Sequence, residues 1–400
     1  ATTDYLEIDP SFGSKETFRE LVETCHKYGL KIILDGVFNH CGIHFAPFQD
    51  VIEKQELSRY CNWFYIKRFP VEVSETDADY ECVGDYGYMP KLNTANPEVQ
   101  SYIYNVMAFW LNEYHIDGWR LDVADEIDPS LWARIRYRIK SAYPDCLLLG
   151  ETWGDGFSLL DGKSVDSIMN YVFRDSVRDF FARGSIDAKM FNHRICQMRS
   201  HYPEEIRQAL FQPLDSHDTE RFLWNCKGDI RRLKLAALFQ MCFPGAPSIY
   251  YGDEIGLNGD NDPDCRRCME WEKEKQNTEV LSFYKKIISI RKSYSCLRTG
   301  NIIPLVCKKM IYGYLCQSEN QQIYVLMNGT EEEYEVRLPV LEIARYKNLL
   351  TGESYEAEKL VNTKYFNEDM IPCRGSIKLS LKAFEGIVLK TGGMKDEKKQ

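Results

Sequence analysis

The chain has 400 residues, a net charge of −10 and an apolar fraction of 44%. That length suits a barrel plus a smaller module, and the acidic balance argues against a nucleic-acid partner. No run of about 18 apolar residues occurs, so no membrane span is expected.

The first predicted helix covers about 14–28, with Ser14 as N-cap, Phe18, Leu21, Val22 and Cys25 on one face, and Gly29 to end it. Lys31–Val37 then reads as a buried strand. Residues 41–95 show no strong period and many aromatics and acids, so they are expected to be a long inserted loop or subdomain. Asn96-Pro97-Glu98 opens a helix as N-cap, N1 proline and N2 acid, with Val99, Ile103, Val106, Trp110 and Leu111 as its apolar stripe. Strands are then predicted at 116–122, 146–151, 165–170, 208–214 and 247–251, and helices at 129–143, 173–183, 229–242 and 279–292. Strands alternating with helices imply a parallel sheet covered by helices. Six βα units leave a closed eight-stranded barrel two strands short. After residue 300 short alternating runs at 310–316, 322–328, 333–338 and 376–390, with turns at Asn328-Gly329 and Thr351-Gly352, predict a C-terminal antiparallel β-sandwich over 301–390. The Gly- and Lys-rich 391–400 reads as a disordered tail.

The 14 cysteines are scattered, with Cys265 and Cys268 the only near pair. They read as buried thiols of a reducing cytosol rather than as zinc ligands. No signal-like segment follows Ala1, which also points to the cytoplasm. A start at Ala1 rather than Met leaves room for an upstream signal.

Four segments place acids, histidines and an arginine at the C-terminal ends of predicted strands, where βα barrels build their sites. They are Asp35-Gly-Val-Phe-Asn39-His40, Gly118-Trp-Arg120-Leu-Asp122, Gly150-Glu151-Thr-Trp153 and Ser216-His217-Asp218-Thr219. Arg120 and Asp122 are two apart on a strand, so both face one side, and the cation keeps the carboxylate ionised as a nucleophile requires. Taken alone they would read more readily as a structural ion pair. Glu151 ends an apolar run, and a carboxyl in partly apolar surroundings suits a general acid. Taken alone it would read equally as a capping acid and Asp218 as an N-cap, while His40 alone is more often a structural histidine. Together, each just past its own strand, they are much harder to explain by such structural roles.

These segments resemble the four sequence regions of glycoside hydrolase family 13, the α-amylases, and the resemblance extends from about residue 5 to 390. The fold it implies is a TIM (β/α)8 barrel over 1–300, here lacking about its first two strands, followed by the sandwich. It implies a retaining mechanism with Asp122 as nucleophile, Glu151 as general acid and then base, and Asp218 as the third carboxylate. His40, Arg120 and His217 match residues lining the attacked glucose, Trp153 and Glu126 are further substrate-binding candidates, and Asp35 is supportive. Met89-Pro-Lys91-Leu-Asn93, Val123-Ala-Asp125-Glu126 and Asn261-Asp-Pro-Asp264-Cys-Arg266-Arg267 resemble the neopullulanase, cyclomaltodextrinase and maltogenic amylase group. That group usually has Asn where Asp125 stands. The implied reaction is cleavage of α-1,4 bonds in cyclodextrins, pullulan and maltodextrins, so the partners are α-glucan oligosaccharides. Alternatives are a transglycosylase of the same family and, from another class, a non-catalytic amylase-like partner protein. The last is disfavoured because all three acids are retained. No cofactor is required; calcium is common in the wider family, with Asn39 as a weak ligand candidate. The group normally has an N-terminal sandwich that supports a homodimer, so a dimer is expected of a full-length parent rather than of this stretch alone.

Overall fold

The computed structural model describes residues 1–75, 77–84, 86–360 and 373–392. They form two compact units, Ala1–Met169 and Asn170–Gln400.

In the first unit four short parallel strands lie in the order β1-β2-β3-β4: β1 Ile33–Gly36, β2 Gly118–Leu121, β3 Leu147–Gly150 and β4 Ser167–Ile168. Each falls inside its predicted run. The register pairs Asp35 with Arg120 and Leu121 with Gly150, which aligns the C-terminal ends of the first three strands. Gly118 permits this close approach, since a Cβ there would come within 2.4 Å of the Leu147 carbonyl oxygen.

The helix Lys15–Lys27 begins at Ser14, whose side chain accepts from the Thr17 amide in a capping box. Of its predicted apolar face only Val22 is fully buried, and Leu21 is exposed. The helix Pro97–Tyr114 starts at Asn96, whose carboxamide oxygen accepts from the Glu98 amide, and buries all five predicted stripe residues. Trp110 on it donates to the Tyr5 carbonyl at 2.8 Å. The 41–95 segment contains a helix, Ala46–Lys54, that the sequence reading missed. Its apolar signal is short: Phe48, Val51 and Ile52, spanning a single turn. Phe48 packs edge-on against Phe64 and Tyr80, which gives the segment a small core of its own.

In the second unit β5 Phe211–Pro213 pairs in parallel with β6 Ala246–Ser248. The predicted helices appear at Ile230–Cys242 and Thr278–Ser293. The one predicted at 173–183 is an α-helix, Tyr171–Val177, continued by a π-turn at Arg178–Ala182. Beyond residue 300 come β7 Asn301–Lys308, β8 Ile311–Ser318, β9 Gln321–Asn328, β10 Tyr334–Val340, β11 Arg345–Asn348, β12 Ser354–Glu356, β13 Glu358–Lys359, β14 Gly375–Leu381 and β15 Gly386–Thr391. They form two antiparallel sheets, β12-β11-β15-β9-β8-β7 and β10-β14-β13. Alternate residues of both, including Tyr324, Leu326, Leu338, Ile377, Leu379 and Leu389, share one apolar core. The single run predicted at 376–390 is thus two strands, β14 and β15, turned at Lys382–Glu385, where Phe384 takes φ of +53°. Thr391, the first residue of the predicted tail, closes β15 instead; residues 393–400 lie outside the described residues.

Candidate active site

In the first unit Arg120 is the hub. It stands on β2, and Asp122 and Glu151 follow β2 and β3 by one residue. Its Nη1 lies 2.7 Å from Asp35 Oδ1 and 2.6 Å from Asp122 Oδ1, and its Nη2 lies 2.9 Å from Glu151 Oε2. Burial works against the Arg120 charge, but the carboxylates of Asp35, Glu151 and Asp122 outweigh it and hold the guanidinium above its ordinary range.

Glu151 is 2% exposed. Its Oε2 also accepts from the Val123 amide at 2.9 Å. The surroundings of Glu151 are therefore not the partly apolar pocket expected from the run before it. In-register pairing of β2 with β3 brings the Arg120 fork to it instead. To aim its amide at Glu151, Val123 adopts φ of +45° and ψ of +46°, a left-handed conformation that a β-branched residue avoids. Such strain costs on the order of 1–3 kcal/mol and collects at functional positions. Thr152 donates to Asp125 at 2.6 Å and steadies the same turn.

His40 is buried, and its Nδ1 has no partner among the described residues. Burial pushes the imidazole below its ordinary range, against the pull of Asp122, so it is neutral at neutral pH and can accept or donate to a ligand. Its backbone carbonyl accepts from the Tyr5 hydroxyl at 2.8 Å, and it bridges antiparallel to Lys91. The Met89–Asn93 motif thereby lies beside the His40 turn, and Leu92 donates to the Asn39 carbonyl at 2.9 Å. Lys91 Nζ reaches Glu126 Oε2 at 2.8 Å, and the Asn39 carboxamide N–H donates to the same oxygen at 3.4 Å. Asn39 thus faces a carboxylate already neutralised by a lysine, which does not fit a calcium ligand set. No group of three or more His, Cys, Asp or Glu that could hold a metal occurs among the described residues. Trp153, two residues past Glu151, is 53% exposed and presents an indole face. Lys91 was missed as a site residue, although it stood inside a quoted motif.

In the second unit Asp218 lies in the loop after β5. Its amide donates to Ser216 Oγ at 3.2 Å, and Ser216 Oγ lies 2.9 Å from the Tyr171 hydroxyl. Asp218 Oδ2 is 3.2 Å from His217 Nε2, and Asp218 Oδ1 is 3.3 Å from Arg266. Arg266 Nε also donates to the His217 carbonyl at 3.0 Å and pairs with Asp262 at 2.8 Å. The Asn261–Arg267 motif therefore holds the His217-Asp218 turn.

The chain belongs to the α-amylase family: the family's catalytic domain, described as "Alpha amylase, catalytic domain", matches residues 1–300. That domain is a TIM barrel. The chain is 44% identical over 360 residues to a cyclomaltodextrinase of Geobacillus thermopakistaniensis, covering 89% of this chain and 61% of that protein. It is 44% identical over 396 residues to neopullulanase 2 of Thermoactinomyces vulgaris, covering 98% and 65%. A solved cyclomaltodextrinase superposes with a TM-score of 0.90 at 36% identity, over 98% of this chain and 65% of that one. The chain thus spans less than two thirds of the length of these relatives. No helix among the described residues is long and apolar enough to cross a membrane.

Proposed function

We propose that the chain carries the catalytic residues of a retaining glycoside hydrolase that cleaves α-1,4-glucosidic bonds in cyclodextrins, pullulan and maltodextrins. The observation that carries this reading is the Arg120 bridge. One guanidinium contacting both Asp122 and Glu151 suits the separation of roughly 5 Å between carboxyls in retaining glycosidases, rather than the roughly 6.5–9.5 Å of inverting ones. Asp122 attacks the anomeric carbon and forms a glycosyl ester. Glu151 must first take up a proton from solvent; it gives that proton to the departing glycosidic oxygen, and as a carboxylate then takes one from the water that breaks the ester. Asp218, the third carboxylate, grips sugar hydroxyls. His40, Arg120, His217, Trp153 and Glu126 line the substrate, with the indole of Trp153 as a platform for a sugar ring.

The substrate class rests on the Met89–Asn93 motif, whose Lys91 sits on Glu126, and on the names of the relatives. The six strands β1–β6 correspond in order to the third to eighth of the family's barrel, and β7–β15 to its C-terminal sandwich. Seven of the fourteen cysteines are buried thiols, which suits a reducing cytoplasm. The test is product analysis after incubating the protein with β-cyclodextrin, pullulan and soluble starch. Faster turnover of β-cyclodextrin than of starch is expected. A clear preference for starch would remove the assignment to the cyclodextrin-degrading group.

A further inference from the structure

The loop that carries Asp218 is anchored on a sealed cluster of two carboxyls and one guanidinium. Asp215, two residues past β5, is 2% exposed; Asp253, in the turn Asp253–Ile255, is 3% exposed; Arg221 is 0% exposed. Arg221 Nη1 lies 3.3 Å from Asp253 Oδ1, its Nε donates to the Cys265 carbonyl at 2.8 Å, and its guanidinium stacks 3.8 Å over the Tyr250 ring. Asp215 Oδ2 accepts from the Phe222 amide at 2.6 Å and so closes the 215–222 loop. Asp215 Oδ1 is fully buried with no N–H donor, and consecutive residues tie the two acids into one buried pocket: the Arg221 guanidinium reaches Asp253 and the Phe222 amide reaches Asp215. Two anions beside one cation would leave a full negative charge in a pocket buried from solvent, which is strongly unfavourable. One proton between them balances the charge and gives Asp215 its missing donor.

We propose that Asp253 stays protonated and shares its proton with Asp215, and that this proton together with Arg221 fixes the 215–222 loop and thereby the orientation of Asp218. Asp215, Asp253 and Arg221 are then positioning residues. The path to Asp218 is short. Arg221 fixes Cys265, Cys265 Sγ and Arg266 Nε both reach the His217 carbonyl, and Arg266 contacts Asp218. Burial pushes both acids up, and the Asp215 charge raises Asp253 further. The other titratable groups bearing on the pair are Arg174, Glu254, Cys226 and Tyr284. Arg174 does not supply the missing cation, because it already faces Asp175 at 2.9 Å and Glu220 at 3.6 Å.

The positioning role rests on Asp218 being the third catalytic carboxylate; the shared proton does not. Two readouts therefore separate them. Infrared spectra of the full chain at neutral pH should show the carbonyl band of a buried carboxylic acid, absent from Asp253→Asn. With β-cyclodextrin, Asp253→Asn, whose amide still donates to Asp215, should keep kcat within about threefold, whereas Asp253→Leu should lower kcat at least about tenfold with a smaller change in KM. An acid whose folded pKa is raised holds a proton that the unfolded chain releases. Its stabilising effect is thus full below the unfolded value near 4 and is lost as pH rises through the folded one. Asp253→Asn should flatten that decline in the thermal transition. Absence of the acid band in the parent would overturn the shared proton. Equal losses in Asp253→Asn and Asp253→Leu, or none in Asp253→Leu, would overturn the positioning role. A parent inactive on every α-glucan would overturn that role together with the functional reading, while the infrared band would still decide the proton.

Discussion

Two arginine-centred clusters stand past the ends of parallel strands in this chain, and they resolve the same imbalance differently. Arg120 faces three carboxylates, and Arg221 shares its pocket with two. Around Arg120 the excess negative charge is tolerated because the cluster is open on one side: the Asp35 side chain is 49% exposed and the Asp122 side chain 16%. Around Arg221 nothing is open, so a proton must take the place of solvent. The number of charges does not decide the protonation state of a cluster; access to water does. The open side leaves Asp35 and Asp122 reachable, whereas the closed cluster is confined to holding a loop.

The comparison can be broken most severely at Asp122. In Asp122→Asn, Arg120 keeps Asp35 and Glu151, so the thermal transition should stay near the parent's, while turnover of maltotriose falls on the order of 10⁴-fold. Activity within tenfold of the parent would remove Asp122 from the nucleophile role. The closed cluster should respond in stability instead. Neutralising either acid alone lets the proton count adjust, since the remaining carboxyl pairs with Arg221. Asp215→Asn and Asp253→Asn should therefore each cost no more than about 1 kcal/mol. The double variant leaves Arg221 a buried cation without a carboxylate and should cost about 3 kcal/mol or more. Urea denaturation of the four proteins measures this. Additive single effects would contradict a shared proton.

Much of this was legible in the sequence because β2 and β3 are largely buried runs ended by acids; β1, expected to be buried, is instead half-buried with Asp35 exposed, and β6 is half-buried too. β1, β2 and β3 fall inside their predicted runs, and the acids expected at strand tops lie one residue beyond β2 and β3. What escaped had a physical reason. β7 was hidden by Pro304, which a central strand would not accept; β7 is an edge strand with an irregularity between Pro304 and Val306, where a proline costs no ladder bond. The helix Ala188–His201 has a polar surface that masks a real stripe of Ala188, Phe191, Ile195 and Met198. The environment of Glu151 was misjudged because its own strand is apolar, while its main partner arrives from the neighbouring strand. Asp215 and Asp253 gave no signal as a pair: they stand in separate segments, near Asp218 and beside Glu254 respectively, and only the fold brings them together.

The account turns on Asp122 attacking the anomeric carbon directly, with Arg120 holding Glu151 close by. Proton NMR of the first product released from β-cyclodextrin, recorded before the sugar mutarotates, tests this without altering any residue. Double displacement predicts that the new reducing end appears first as the α-anomer, the configuration of the bond cleaved. First appearance of the β-anomer would mean a single displacement by water, and would contradict the roles given to both carboxylates on Arg120.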